Sequence, residues 1–367
     1  MVDDAAAPSP PRLLSGYAGG NGSTDRPGSE APDWFEVSWN PTAGCSLVSP
    51  GCDHCYAMRI AARLARMGGK TGARNHALTI MERGGPRWTG EIQIAEDLLT
   101  WPLYRRRPRR IAVNLMSDLF HEHVDIPTID LVHAVMAAAR WHIFLVSTKR
   151  TARMRAYYRD PVTLDRIVQS AGLLLSDIIP KSGRRRPLPG TLNHVAGIAR
   201  SGRWPLPNLW LGVSVEDQDR IGRVRDLLDT PAATRWVCFE PLLGRVLPDA
   251  VPNGGGYFDA IGGAHYGLDG RGRRVAVEGP AWEALDWVVA GGEIGVGARP
   301  MQPQWVRELR DKSSANGVPF LFRQWGEWAP TAGSGDRMMR VGKRAAGRVL
   351  DGRSWDQIPA TDQGQGV

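Results

Sequence analysis

The stretch IAVNLMSDLFHEHVDIPTIDLVHAVMAAARWHIFLVS (111–147) carries the pattern that decides the fold. Two short apolar, β-branched runs, IAVNLM (111–116) and HIFLVS (142–147), flank the helical period IPTIDLVHAVMAAAR (126–140). Runs that stay apolar at successive positions suit strands buried on both faces. A helix between two such strands makes a parallel β–α–β unit.

The alternation extends in both directions. FEVSW (35–39) and ALTIM (77–81) precede the unit. LWLGVS (209–214), RWVCFE (235–240), DWVVAGG (286–292) and PFLFRQW (319–325) follow it. Helical periods fall at YAMRIAARLARMG (56–68), EIQIAEDLLTWPLY (91–104) and EDQDRIGRVRDLL (216–228). Eight strand candidates predict an α/β fold, a (β/α)8 TIM-like barrel, complete or partial, over residues 34–330. A doubly wound open sheet is the alternative. Residues 160–207 and 249–280 are too long for ordinary connections and read as loop insertions. Residues 1–33, rich in Pro, Gly, Ser and Ala, read as a disordered arm, and 331–367 as a C-terminal extension packed on the barrel.

Composition narrows the class. Of the 367 residues, 42% are hydrophobic and 23% charged, an ordinary globular balance. No apolar run is long enough for a bilayer, and the first residues lack a basic start followed by an apolar block, so a cytoplasmic protein is expected. The net charge is +8. Residues 1–33 hold five acids and two arginines, so they carry −3 and the remainder +11. That balance favours nucleic acid or a phosphorylated substrate as partner.

The four cysteines, Cys45, Cys52, Cys55 and Cys238, are too few for a disulfide scaffold. Three of them stand in WNPTAGCSLVSPGCDHCYA (39–57) with the spacing Cys-x6-Cys-x2-Cys, between the first strand and the first helix. The Cys52-x2-Cys55 pair makes a tight turn that aims two thiolates at one point. Gly44, Pro50 and Gly51 let the loop bring Cys45 round. Three thiolates from one loop suit a [4Fe–4S] cluster with one iron open. A structural zinc site completed by His54 or Cys238 is the other reading, although no second cysteine knuckle exists.

In a barrel the C-terminal strand ends carry the active site. Read in order, those ends hold Asn114, Ser117, Asp118 and Glu122; Ser147 and Lys149; Ser214 and Glu216; Glu240; Gly291, Gly292 and Glu293; and Gln324 and Trp325. So many polar groups at one end predict a shared polar cavity. Lys149 and Glu240 are the candidate catalytic pair, with Lys149 pairing with Glu240 or with a substrate anion. Ser147, Gly291, Gly292, Glu293 and Arg299 are candidate cofactor or substrate contacts, Arg299 as a bidentate anion binder. Asp118 and Glu122 have a plain alternative as a helix cap or solvated groups, and His121 and His123 read as surface residues of a loop. RRRPRR (105–110) reads as a solvated connection, KSGRRRPLPG (181–190) as a loop that could hold a polyanion, and Trp325 with Trp328 as a stacking surface.

The cysteine segment resembles the radical S-adenosylmethionine superfamily, whose usual motif is Cys-x3-Cys-x2-Cys after the first barrel strand. Here the first gap is six residues, and His54 takes the place of that family's aromatic. Over residues 34–355 the chain is also similar to a phage-associated three-cysteine family of uncharacterised proteins carried by phages and bacteria. That similarity runs through MSDLFHE (116–122), STKR (147–150), GVSVEDQ (212–218), FEPLLG (239–244), GGEIGVGARPM (291–301) and FRQWGEWAP (322–330). The resemblance implies a [4Fe–4S] cluster on Cys45, Cys52 and Cys55, with S-adenosylmethionine chelated at the open iron and cleaved to a 5′-deoxyadenosyl radical. It further implies an electron donor such as ferredoxin or flavodoxin, or a partner protein. Similarity to DNA-acting members such as spore photoproduct lyase points to a nucleic-acid or nucleotide substrate. A zinc-stabilised nucleic-acid-binding protein without radical chemistry is the alternative.

Overall fold

The computed structural model describes residues 34–174, 176, 197, 204–280, 282–331 and 337–360. The expected N-terminal arm and the KSGRRRPLPG segment lie outside the described residues. Seven parallel strands form the main sheet: β1 Val37–Trp39, β2 Arg110–Val113, β3 Ile143–Thr148, β4 Leu209–Ser214, β5 Thr234–Phe239, β6 Trp287–Gly291 and β7 Phe320–Gln324. They lie side by side in chain order and curl into a half-barrel. The α/β class is as read from the sequence, but the sheet has seven strands and not eight.

The missing strand is ALTIM. Thr79–Glu82 pairs antiparallel with Gly85–Trp88 as a separate hairpin, with Ile80, Met81 and Glu82 exposed. Glu82 pairs with Gly85, so only Arg83 and Gly84 turn the chain, and it folds straight back instead of continuing through a helix. The helix read at 91–104 is likewise cut short. Glu96–Leu99 is helical, and Pro102 leaves Trp101–Tyr104 as a 3-10 turn.

The contacts divide the chain into two units. In the first, composed of residues up to 47, 57–146 and 156–210, β1, β2 and β3 pair in register, with Val37 opposite Ile111 and Ile111 opposite Phe144. Helix α1 (Tyr56–Leu64) buries Ala57, Met58, Ile60, Ala61 and Leu64. Helix α2 (Ile126–Ala138) starts at Asp125, whose carboxylate accepts from the Thr128 amide at 2.9 Å. It is apolar nearly all round, as a helix covered on most sides should be. Helix α3 (Thr151–Arg159) ends in this unit with Tyr157 and Tyr158, and α4 (Thr163–Leu173) packs on α2. Within this packing Tyr158 and His133 are hydrogen-bonded at 2.7 Å, and Tyr157 donates to Asp130 at 2.7 Å.

The second unit comprises residues 48–56, 147–155 and 211–367. Its centre is β5, β6 and β7, with Trp236, Phe239, Trp287, Phe320 and Phe322 fully buried. Helix α5 (Gly222–Leu228) precedes β5, and α6 (Pro303–Ala315) joins β6 to β7. The 249–280 segment forms a four-stranded antiparallel sheet from Val251–Pro252, Tyr257–Asp259, Ala264–Leu268 and Arg274–Ala276. Backbone bonds from Phe322 to the Trp355 carbonyl, and from Trp325 to the Gly347 carbonyl, tie the C-terminal residues to β7.

Candidate functional site

The site is built on the turn that carries Cys52 and Cys55. Ser49 is extended, Pro50–Cys52 makes one 3-10 turn, and α1 begins directly after Cys55. The Cys52 amide donates to the Ser49 carbonyl at 2.8 Å, and the Cys55 amide to the Cys52 carbonyl at 3.2 Å. Cys52 is buried and Cys55 half-buried.

Against this turn lies Glu216, just past β4 and fully buried. Its Oε1 accepts from the Ser49 hydroxyl at 2.8 Å and meets Lys149 Nζ at 2.5 Å, while Oε2 takes the Arg223 guanidinium at 2.8 Å. A Cβ on Gly51 would stand 2.5 Å from the Glu216 carboxylate, so glycine lets the turn settle there. Lys149 Nζ also lies 3.8 Å from Cys52 Sγ. Burial alone would lower the Lys149 pKa, but the Glu216 carboxylate, and after it the Cys52 sulfur, hold it above its ordinary value. Burial alone would raise Glu216, but Lys149 and then Arg223 hold it below the usual carboxylate range. The pair stays ionised, with a permanent cation beside the Cys52 sulfur.

A second clamp comes from the end of β6. Glu293, 5% exposed, holds Arg299 bidentately, with Nε at 2.9 Å and Nη2 at 2.5 Å, and also accepts from the Arg299 amide at 2.8 Å. Arg299 Nη2 then donates to the Pro50 carbonyl at 2.7 Å, and Nη1 lies 3.7 Å from Asp53. The bidentate carboxylate partner of Arg299 is therefore an internal one, and the pair fastens the cysteine turn to the β6 end.

Glu240, at the end of β5, is held by Arg323 at 2.9 Å and by the Gln324 amide at 2.7 Å. Lys149 pairs with Glu216 and not with Glu240, a correction to the expected pairing. Both carboxylates follow strand ends, and sequence alone does not say which one the lysine meets. Gly291 sits at a register shift between β6 and β7, and a Cβ there would stand 3.0 Å from Glu240. A Cβ on Gly292 would clash with the Trp325 carbonyl oxygen. Ser147 Oγ and Ser214 Oγ are hydrogen-bonded to each other at 3.1 Å. Trp325 is buried and donates to the Val349 carbonyl at 2.8 Å, so it offers no stacking surface. Trp328 is half-buried and donates to the Ala298 carbonyl at 2.7 Å.

Cys45 belongs to the first unit. Its sulfur approaches the Ser46 carbonyl at 3.5 Å, and Ser46 Oγ bonds His121 at 2.9 Å and Glu122 at 3.0 Å. His121 is fully buried, correcting its reading as a surface residue, because Ser46 and the His123 amide occupy its two ring nitrogens. Asp118 is buried and accepts from the Phe120 amide at 3.0 Å. Burial pushes the Cys238 thiol well above its ordinary range.

Lys149, Glu216, Glu240, Glu293 and Arg299 thus share one unit with Cys52 and Cys55. Gly51, read from sequence only as giving the loop its freedom, joins Ser49, Arg223 and Arg323 in completing the arrangement, and those three were not singled out from sequence. Arg223 had a usable signal, since it stands seven residues after Glu216 at the start of α5. Among the described residues, no group of three or more Cys, His, Asp or Glu side chains is gathered closely enough to hold one metal ion.

Among the described residues, no helix is long and apolar enough to cross a membrane. No match was found among curated proteins or among solved structures. Residues 30–359 match the profile of a family described as a protein of unknown function, DUF5131. With nearly the whole chain covered, this protein belongs to the DUF5131 family.

Proposed function

We propose that the protein is a radical S-adenosylmethionine-type enzyme whose Cys45-x6-Cys52-x2-Cys55 segment holds a [4Fe–4S] cluster, acting on a nucleic-acid or nucleotide substrate. The observation that supports this reading is the setting of Cys52, a buried thiol 3.8 Å from a lysine that Glu216 keeps charged. When bound, such a cluster supplies the electron that splits S-adenosylmethionine into methionine and a 5′-deoxyadenosyl radical, with ferredoxin or flavodoxin as the outside donor.

The chain's own residues have four tasks in this proposal. Lys149 offsets thiolate charge and donates toward the Cys52 sulfur, as hydrogen bonds to cluster sulfurs do when they tune a potential. Glu216, anchored by Arg223, fixes Lys149, and through Ser49 it fixes the start of the cysteine turn. Arg299 and Glu293 hold the Pro50 carbonyl and so the aim of the turn. Glu240 presents a carboxylate at the β5 end, with Ser147, Gly291 and Gly292 at neighbouring strand ends as the proposed cofactor and substrate contacts.

The test is product analysis. Protein purified without oxygen and reduced by dithionite in the presence of S-adenosylmethionine is expected to release 5′-deoxyadenosine, and a Cys52→Ala variant to release none. Iron-loaded, reduced protein that leaves S-adenosylmethionine intact would overturn the radical step.

A further inference from the structure

We propose that α1 and the hairpin Thr79–Glu82/Gly85–Trp88 form a docking face for double-stranded DNA. The charge is concentrated there. Residues 56–88 contain six arginines and one lysine against a single acid, Glu82, which gives 33 residues a net +6 in a chain of +8. Arg74 pairs with Asp97 and Arg87 with Glu82. Arg59 and Arg63 on α1 and Arg66 in the turn that follows it recur at helical spacing, opposite the face that buries Met58, Ile60 and Leu64, and all three are exposed. Their span of about 10 Å along the axis matches a run of backbone phosphates.

The hairpin adjoins the stripe, since a Cβ on Gly85 would stand 3.2 Å from the Arg59 guanidinium. Exposed Arg83 lies in its turn, and Lys70 follows the stripe. Ile80 is 53% exposed, Met81 64% and Met67 37%. Apolar side chains presented among arginines suit a duplex: the guanidinium groups take phosphates, and the apolar tips press between base steps in the minor groove. The excess is of one sign over the whole face, which suits the continuous negative charge of a duplex backbone; a protein partner would have to present an acidic face of the same extent. The face deepens the nucleic-acid part of the proposed function and does not depend on the cysteines carrying metal.

The test is fluorescence anisotropy of the full chain with a labelled duplex of about 20 base pairs, two helical turns, over a salt series. Arg59→Ala/Arg63→Ala/Arg66→Ala is expected to weaken binding about tenfold or more and to reduce the log–log salt slope by about 2 to 3. Met81→Ser is expected to weaken binding with the slope unchanged. The control Arg106→Ala/Arg107→Ala, in the exposed RRRPRR connection, is expected to bind as the parent does. All variants lie at exposed positions, and unchanged circular dichroism confirms their folding. No salt-dependent duplex binding, an unaffected triple variant, an equal loss in the control, or a preference for RNA, acidic protein or anionic vesicles over the duplex would each overturn the proposal. Repeating the titration with Cys52→Ala protein separates this result from the metal reading, since DNA binding is expected to persist there.

Discussion

The ammonium of Lys149 lies 3.8 Å from the Cys52 sulfur, held there by a buried carboxylate, Glu216, at 2.5 Å. A lysine 97 residues away in the chain thus serves the cysteine turn because β3 and β4 end side by side. Removing Glu216 takes the buried carboxylate from both Lys149 and Arg223, and removing Lys149 leaves Glu216 with Arg223 alone. Lys149→Met and Glu216→Gln are each expected to cost about 3 kcal/mol of unfolding free energy. The double variant should cost less than the two together, with a coupling of about 1 kcal/mol or more. Denaturant unfolding of the four proteins checks this, and strictly additive losses would contradict the pairing.

The two glycines after β6 should respond differently to a methyl group. At Gly292 the methyl meets a backbone carbonyl oxygen, which cannot swing away. At Gly291 it meets the Glu240 side chain, which can shift by a few tenths of an ångström. Gly292→Ala is expected to cost about 3 kcal/mol or to prevent folding, and Gly291→Ala about 1 kcal/mol. Thermal unfolding of the pair decides it, and an order reversed from this would mean that the β6 end is placed otherwise.

Much of this was legible in the sequence, and the remainder failed for physical reasons. Apolar runs buried on both faces named all seven sheet strands, because a strand such as RWVCFE has no solvent side to confuse the pattern. ALTIM has the same composition but is read wrongly, since only the Arg83-Gly84 turn after it separates a hairpin arm from a barrel strand. At the site, residue types at strand ends were visible, while partners were not. Which carboxylate meets Lys149, and that Arg299 is committed to Glu293, depend on side-chain reach across several strands, and one-dimensional spacing does not encode it.

Acid should weaken the protein through His133. Burial holds its pKa down at about 4 from 6.5, against a smaller opposing effect of the Ile129 carbonyl. Below about pH 6.5 the unfolded chain takes up a proton that the folded chain refuses, so stability falls as pH drops towards 4. The slope from this one group is about 1.4 kcal/mol per pH unit, or about 3 kcal/mol over the window. His142, also held at about 4 mainly by burial, acts in the same direction. Urea midpoints at pH 7, 6 and 5 should fall in that order, and His133→Gln should flatten the series. Midpoints that rise on acidification would contradict a buried neutral imidazole.

The most direct test of the account is a metal count on protein purified without oxygen, beside Cys45→Ala, Cys52→Ala and Cys55→Ala. The account predicts brown protein with about four irons per chain and little or no iron in any of the three variants. Colourless protein holding one zinc, or iron that survives loss of Cys52, would contradict it.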